Sequence, residues 1–271
     1  TWAWFGKKLP DPATFEDHAY KIHVSFKKIE SQLQNNYIQF SHTNCVNPTV
    51  DNGRLIKADE CEMWITELDY EVIRKAYKWE GEPKVFECWE ARKDYLPIKF
   101  VEYVLQLFHD KTALKGKTSE DGSVEYQYAR SKELLNSMYG MMAQDPVKFS
   151  ILFTEDDPEV FTVEDAEPEI LLHKYQRRAF LAYQWGVWVT AWARYDLQQG
   201  LDMAGHGAVY CDTDSVKYVG DVDWSKYNQD CIDACHVSGA HATDAKGVEH
   251  YMGVFEPEPT VTLVTLGSKK Y

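Results

Sequence analysis

The sequence predicts an α+β fold in which helices pack against an antiparallel sheet. β-like fragments occupy the first sixty residues, with examples at 21–26 and 37–41, and amphipathic helical patterns follow them. A short hairpin pattern lies near residue 210. With 271 residues, of which 44% are hydrophobic and 14% aromatic, the chain is long enough to bury a sizeable core in one or two domains.

Two helices are predicted from their starts and their apolar faces. Thr66 is a typical N-cap, and Asp69 three residues later resembles the acid of a capping box. The second helix follows Pro97. Both stripes are typical of helices that pack against a sheet: Leu68, Val72, Ile73, Ala76 and Tyr77 in the first helix, and Phe100, Val101, Val104, Leu105 and Phe108 in the second.

Charge and composition limit the classes of function. The formal net charge of −14 argues against simple nucleic-acid binding, but the excess is uneven, since residues 149–172 hold eight acidic and no basic residues. We expect a small β-rich insertion or a mobile loop there. Local cations, helix N-termini and bound metal ions can hold phosphates on a negative protein.

Apolar runs and the spacing of the cysteines predict the location of the protein and the redox state of its thiols. It shows no apolar run of membrane-spanning length and no signal-peptide pattern, so we expect a soluble, cytoplasmic protein. The six cysteines are scattered, which favours reduced thiols. A zinc cluster could be imagined at Cys231, Cys235, His236 and His241, but the spacing fits no common pattern and a helix with small buried thiols is the better interpretation.

The most informative stretch is 209–218, where β-forming residues flank an Asp-Thr-Asp bend. In an extended chain, residues two apart share a face, so Asp212 and Asp214 are expected to project together from an exposed tip backed by a buried strand pair. Two adjacent carboxylates suit Mg²⁺, which completes its coordination with water and phosphate. The alternative is an Asp-rich surface turn.

A second pattern lies on a predicted helix around residue 131. Lys132, Asn136 and Tyr139 fall at i, i+4 and i+7, on one stripe, while Leu134, Leu135 and Met138 are expected on a different, buried face. A cation, an amide and a phenol in a row could bind a nucleoside triphosphate. The alternative is a solvated helix face.

These patterns together resemble the motifs of protein-primed family B DNA polymerases, the phage and linear-plasmid type. Tyr-x-Asp-Thr-Asp-Ser resembles the third palm motif, and Lys-x-x-x-Asn-Ser-x-Tyr-Gly resembles the fingers motif. Thr190 and Arg194 lie in a Thr-x-x-Ala-Arg pattern that resembles a primer-strand motif, and Lys269 and Tyr271 lie in a Lys-x-Tyr pattern that resembles another family element. Along the chain the order is the fingers motif, Thr-x-x-Ala-Arg, the Asp-Thr-Asp hairpin and Lys-x-Tyr, and the resemblance spans about residue 66 to residue 271.

The resemblance implies a role for each motif. Asp212 and Asp214 would be catalytic metal ligands for two Mg²⁺ ions, with a nucleotide pocket formed by Lys132, Asn136 and Tyr139. Thr190, Arg194, Lys269 and Tyr271 would hold the primer strand. For Arg194, a partly buried ion pair inside the palm is an equal alternative. The implied partners are primer-template DNA, a dNTP and a terminal protein.

The resemblance also implies a domain order. It is a palm edge with a first terminal-protein-type region (1–110), a fingers element (111–145), an acidic insertion resembling the second terminal-protein region (146–185) and a palm with the Asp-Thr-Asp hairpin (186–271).

The family's first palm motif, Asp-x-x-Ser-Leu-Tyr-Pro, is absent from this sequence. We therefore predict a fragment of a longer polymerase that is inactive in isolation, because one carboxylate hairpin cannot hold both metals. The alternative is a non-catalytic, polymerase-like module that binds DNA or terminal protein.

Overall fold

The computed structural model describes residues 1–144, 150–153, 161–164, 182–258 and 262. The chain forms two compact units. The first contains Thr1–Glu102, Thr190–Ala242 and the chain from Glu249 onward, and the second contains Tyr103–Val189 and Thr243–Val248. Among the described helices, none combines the length and apolar character needed to cross a membrane.

The first unit is built on a six-stranded antiparallel sheet. Its strand order is β1-β6-β2-β5-β3, and β4 also pairs with β5. The strands are β1 (Ala3–Gly6), β2 (His18–Ser31), β3 (Thr43–Val46), β4 (Thr49–Asp51), β5 (Arg54–Thr66) and β6 (Tyr77–Arg92).

Buried and more exposed side chains alternate along β2, and this shows which face of the sheet covers the core. Ile22, Val24 and Phe26 are fully buried, whereas Lys21 is exposed and His23 half-buried, as expected for a sheet with one covered face. The predicted strand at 21–26 is therefore confirmed. The strand predicted at 37–41 is wrong, because only an isolated bridge and a short 3-10 turn form there.

Helix α1 (Glu67–Ala76) confirms the predicted capping box. The Thr66 Oγ1 accepts from the Asp69 N–H at 3.2 Å, and the Asp69 carboxylate accepts from the Thr66 N–H at 3.0 Å. Four residues of its predicted apolar stripe are buried in the helix: Leu68, Val72, Ile73 and Ala76. The fifth, Tyr77, is also buried but begins β6.

The second unit contains most of α2 (Ile98–Leu114) and all of α3 (Ser123–Met142). Helix α2 begins directly after Pro97, as predicted, and buries Phe108 of its stripe, together with Leu107 and Thr112. Strands β7 (Ser150–Phe153) and β8 (Phe161–Glu164) pair antiparallel within the acidic stretch. The described part of that stretch is thus β-rich.

The remaining elements follow the acidic stretch. Helix α4 (Tyr183–Ala204) leads to the antiparallel pair β9 (Ala208–Asp212) and β10 (Ser215–Tyr218), as predicted. Helix α5 (Ser225–Ser238) is followed by the paired strands β11 (His241–Thr243) and β12 (Glu249–Tyr251). The sequence also predicts a strand at 261–266, and this segment lies almost entirely outside the described residues. Mixed helices and antiparallel sheets confirm the α+β prediction.

Candidate functional site

The β9–β10 hairpin places two aspartates at a tight bend. Asp212 is paired with Ser215 across the strands, so that only Thr213 and Asp214 form the connection. The Asp214 N–H donates to the Asp212 carbonyl at 2.7 Å, and the Ser215 hydroxyl donates to the same carbonyl at 3.2 Å. The Thr213 hydroxyl donates to the Asp212 carboxylate at 3.0 Å.

The hairpin itself is confirmed, but two details of its prediction are wrong. The chain between the aspartates is not extended, because Thr213 has φ 54° in the left-handed region. The extended-strand argument for a shared face therefore does not apply. The strand pair is also not buried: β9 and β10 form a separate two-stranded sheet, and Val209 is 57% exposed.

The backbone at Thr213 has a left-handed conformation that is locally strained. A β-branched residue rarely adopts positive φ, and hairpin bends with this geometry favour glycine, asparagine or aspartate. Such strain costs on the order of 1–3 kcal/mol and is found mainly at sites where a particular backbone course serves binding or catalysis. The Thr213 hydroxyl offsets part of it through its bond to Asp212.

The carboxylates at this bend are accessible. Asp214 is exposed and Asp212 is half-buried. Beneath them, burial raises the pKa of the Cys211 thiol, while the Arg54 charge acts in the opposite direction. Two carboxylates with solvent access fit the one or two that Mg²⁺ takes from a protein. In the described part of the chain, no group of three His, Cys, Asp or Glu side chains converges as a complete metal site.

The predicted nucleotide-binding residues lie on α3 in the second unit. Lys132, Asn136 and Tyr139 are all exposed, as a solvent-facing stripe requires. The expected buried face is only partly correct: Leu134 is 40% exposed, and Leu135 and Met138 are half-buried. Helix α3 buries only Met142, so its apolar side chains are mostly uncovered among the described residues. From the sequence we also expect this row of residues and the Asp-Thr-Asp bend to face one cleft, and that expectation stays a prediction.

Arg194 forms the partly buried ion pair that was the alternative to a contact with the primer strand. In α4, its Nη2 lies 2.9 Å and its Nε 3.3 Å from Oδ1 of Asp69, and Nη2 is 3.2 Å from Oδ2. Asp69 also accepts from the Tyr37 hydroxyl and the Thr66 hydroxyl. Burial, and then the Asp69 charge, raise the pKa of Tyr37 well above its usual range. Thr190, one helical turn earlier, is half-buried.

Asp69, Arg194, Tyr37 and Thr66 together form the buried aspartate cluster. The sequence suggested an ion pair for Arg194 but did not identify its partners. The only local signal was the capping-box position of Asp69. A cleft of about 110 Å³ adjoins the cluster, and polar and cationic groups line much of it. They include Gln39, His42, Thr43, Arg54 and Arg194.

The remaining candidates are the Lys-x-Tyr residues and the cysteines and histidines considered for zinc. Lys269 and Tyr271 lie outside the described residues. The Cys235 thiol donates to the Met252 carbonyl at 3.2 Å, and the rings of His236 and His241 lie 4.9 Å apart. Cys231 lies near the Gly253 carbonyl, at 3.6 Å. The thiols of α5 are thus engaged by backbone carbonyls.

Comparison with known proteins identifies relatives. No family model matches the chain. It is 27% identical over 213 residues to the DNA polymerase of Bacillus phage Nf, and 23% identical over 236 residues to that of Bacillus phage phi29. These alignments cover 76% and 80% of the chain but only 33% and 36% of the relatives. The chain therefore spans about a third of the length of these polymerases.

Solved structures show the same fold. The phi29 DNA polymerase complexed with primer-template DNA and incoming nucleotide has a TM-score of 0.57 at 20% identity, covering 85% of this chain and 36% of that one. Its binary complex with primer-template DNA gives a TM-score of 0.55 at 21% identity, with the same coverage. The resemblance predicted from the motifs is therefore confirmed: the chain is similar in sequence to the DNA polymerases of these Bacillus phages and similar in fold to phi29 DNA polymerase.

Proposed function

We propose that this chain forms the palm and fingers portion of a template-directed, protein-primed DNA polymerase. The observation that carries the proposal is the solvent-accessible Asp212–Asp214 bend, in a chain whose other motifs follow the order of that family. The reaction is nucleotidyl transfer. A primer hydroxyl, or a hydroxyl of a terminal protein, attacks the α-phosphate of a dNTP, and pyrophosphate leaves.

Asp212 and Asp214 are the proposed ligands for magnesium. Bound metal ions would lower the charge on the triphosphate and stabilise the attacking and leaving oxygens. The protein's part is to hold two carboxylates at a fixed bend. The Thr213 hydroxyl and the hydrogen bonds to the Asp212 carbonyl restrict that bend, which reduces the reorganisation needed when a charged ligand binds.

Residues on α3 would bind the incoming nucleotide. Lys132 would neutralise charge on the phosphates, and Asn136 and Tyr139 would shape the pocket around sugar and base. Their exposure on one stripe supports this proposal, since a ligand can reach all three side chains.

Thr190 and Arg194 would contact the primer backbone, together with Lys269 and Tyr271. Asp69 occupies Nε and Nη2 of Arg194, so the donors for a phosphate would be those on Nη1. Because the buried pair fixes the guanidinium, it would present those donors without further loss of side-chain entropy.

Primer-template DNA, a dNTP and a terminal protein are the proposed partners, and the cytoplasm of the phage host is the proposed location. The family's first palm motif would add a further metal-binding aspartate. Since this chain lacks that motif, we propose that the chain alone does not synthesise DNA.

Primer extension tests the proposal. The isolated chain should give no Mg²⁺-dependent synthesis, whereas robust synthesis by it would contradict the two-metal requirement. In the complete polymerase, Asp214→Asn should abolish extension and retain DNA binding, and the exposed neighbour Asp221→Asn should act as the wild type. Unchanged synthesis by Asp214→Asn would favour the non-catalytic binding module.

A further inference from the structure

The edge of the six-stranded sheet holds two cysteines side by side. Cys45 on β3 and Cys61 on β5 are direct cross-strand partners, and their Sγ atoms lie 2.7 Å apart. Carbon atoms in van der Waals contact are about 3.5–4.0 Å apart, so these larger sulfur atoms are unusually close. Directly opposed residues of antiparallel strands have Cα atoms about 4.5–5.5 Å apart, which lies within the range that a disulfide spans.

The two thiols differ in their access to solvent. Cys61 is fully buried in the core, whereas Cys45 is half-buried on the edge strand. The Thr43 side chain lies 3.2 Å from Cys45 Sγ. A reagent from solution therefore meets Cys45 first, and Cys61 can be reached through Cys45.

We propose that Cys45 and Cys61 form a redox-active dithiol pair that a small-molecule disulfide oxidises to an intramolecular disulfide. The Cys45 thiolate attacks one sulfur of the reagent, forms a mixed disulfide and releases the reagent's first thiolate. Cys61 then loses its proton and attacks the Cys45 sulfur, releasing the second thiolate. Two cysteine thiols are oxidised and one reagent disulfide is reduced to two thiols.

The order of these steps follows from the environment of each sulfur. Burial, and then the neighbouring Cys45, raise the pKa of the Cys61 thiol. Because the thiolate is the attacking species, the second step is the slow one and accelerates as pH rises. The product links β3 directly to its neighbour β5 and closes a loop of the chain that contains β4, which fixes the edge of the sheet.

The test uses oxidised glutathione on the natively folded protein, followed by blocking of thiols and peptide mapping without reductant. In the wild type we expect a cross-linked peptide pair that contains Cys45 and Cys61, with loss of two hydrogens from the intact mass. A Cys61→Ala variant should instead accumulate one glutathione adduct on Cys45. A Cys45→Ser variant should leave Cys61 unmodified.

Cys231→Ser is the matched control, since Cys231 lies elsewhere in the chain, and it should form the Cys45–Cys61 link at the wild-type rate. Failure of the wild type to form this link, or a link between other cysteines, would overturn the proposal. So would an adduct on Cys61 in the folded Cys45→Ser variant. Circular dichroism of each variant verifies that the sheet is folded before oxidation.

Discussion

Asp69 lies in the first turn of α1 and Asp214 lies at the β9–β10 bend, and the protein surrounds the two carboxylates in opposite ways. Asp69 is 7% exposed and accepts hydrogen bonds from Thr66, Tyr37 and Arg194. Asp214 is exposed at the end of a two-residue connection. A buried carboxylate needs donors to offset the loss of water, whereas an exposed one can give its oxygens to a ligand.

Internal charge balance marks a structural aspartate in this fold, and solvent access marks a proposed ligand-binding one. Asp69 has its charge balanced within the protein, and its removal should affect folding. Asp214 has solvent access, and its removal should affect the reaction while folding is preserved.

The largest effect is expected for Asp69→Ala. The change leaves the partly buried Arg194 and Tyr37 without their acceptor, which should lower the free energy of unfolding by about 3–5 kcal/mol. Urea denaturation measures the loss. Glu71→Ala is the control on the same helix, because the exposed Glu71–Lys75 pair should contribute only about 0.3–0.5 kcal/mol. A loss below about 1 kcal/mol for Asp69→Ala would contradict a structural role.

Asp214→Asn should show the reverse behaviour. The free energy of unfolding should change by less than about 0.5 kcal/mol, since the side chain is exposed. In the complete polymerase, nucleotide incorporation should fall by more than about a hundredfold, because the proposed metal ligand would supply several kcal/mol of transition-state stabilisation. Single-turnover kinetics and urea denaturation of the same preparation measure both quantities. A stability loss as large as that of Asp69→Ala would remove the distinction.

Thr66→Ala should have a smaller effect. It removes the N-cap of α1 and one donor to Asp69, which should cost about 1 kcal/mol. Thermal and urea unfolding measure the loss. Thr118→Ala, at an exposed loop position, should leave stability at the wild-type value. Equal stability of the two variants would show that the capping box does not hold α1.

The smallest predicted effect is a loss of folding stability at alkaline pH, caused by Tyr37 of the buried aspartate cluster. Burial raises the pKa of Tyr37 in the folded state, so its contribution is complete below the ordinary value of about 10 and is lost as pH rises above it. Between pH about 8 and about 10.5, Tyr37 should account for about 0.8 kcal/mol of lost stability. Denaturation at both pH values should therefore show a smaller decrease for Tyr37→Phe than for the wild type. An identical decrease would mean that Tyr37 is not the titrating group.

Local features of the fold were predictable from the sequence, and distant pairings were not. The start of α1 followed from Thr66 and Asp69, which are three residues apart, and β2 followed from alternation. The Asp69–Arg194 pair joins residues 125 positions apart, which no local pattern encodes. The bend at the hairpin was predicted, but positive φ at Thr213 was not, because threonine disfavours that conformation.

The exposure of the hairpin strands was also missed. Their β-forming residues predicted a buried pair, yet β9 and β10 bond only to each other among the described strands. A strand propensity cannot indicate which neighbour covers the strand, since burial depends on tertiary contacts. The same holds for Leu134 on α3, whose apolar character predicted burial that the described residues do not provide.

A double-mutant cycle on nucleotide affinity in the complete polymerase tests most directly whether the α3 stripe and the hairpin bind one nucleotide. Equilibrium titration with dNTP and Mg²⁺ would compare wild type, Lys132→Ala, Asp214→Asn and the double variant. If Lys132 and the Asp214-bound metal hold one triphosphate, the two effects should be non-additive by at least about 1 kcal/mol. Effects that add to within about 0.3 kcal/mol would show that the α3 stripe and the hairpin do not bind the same nucleotide.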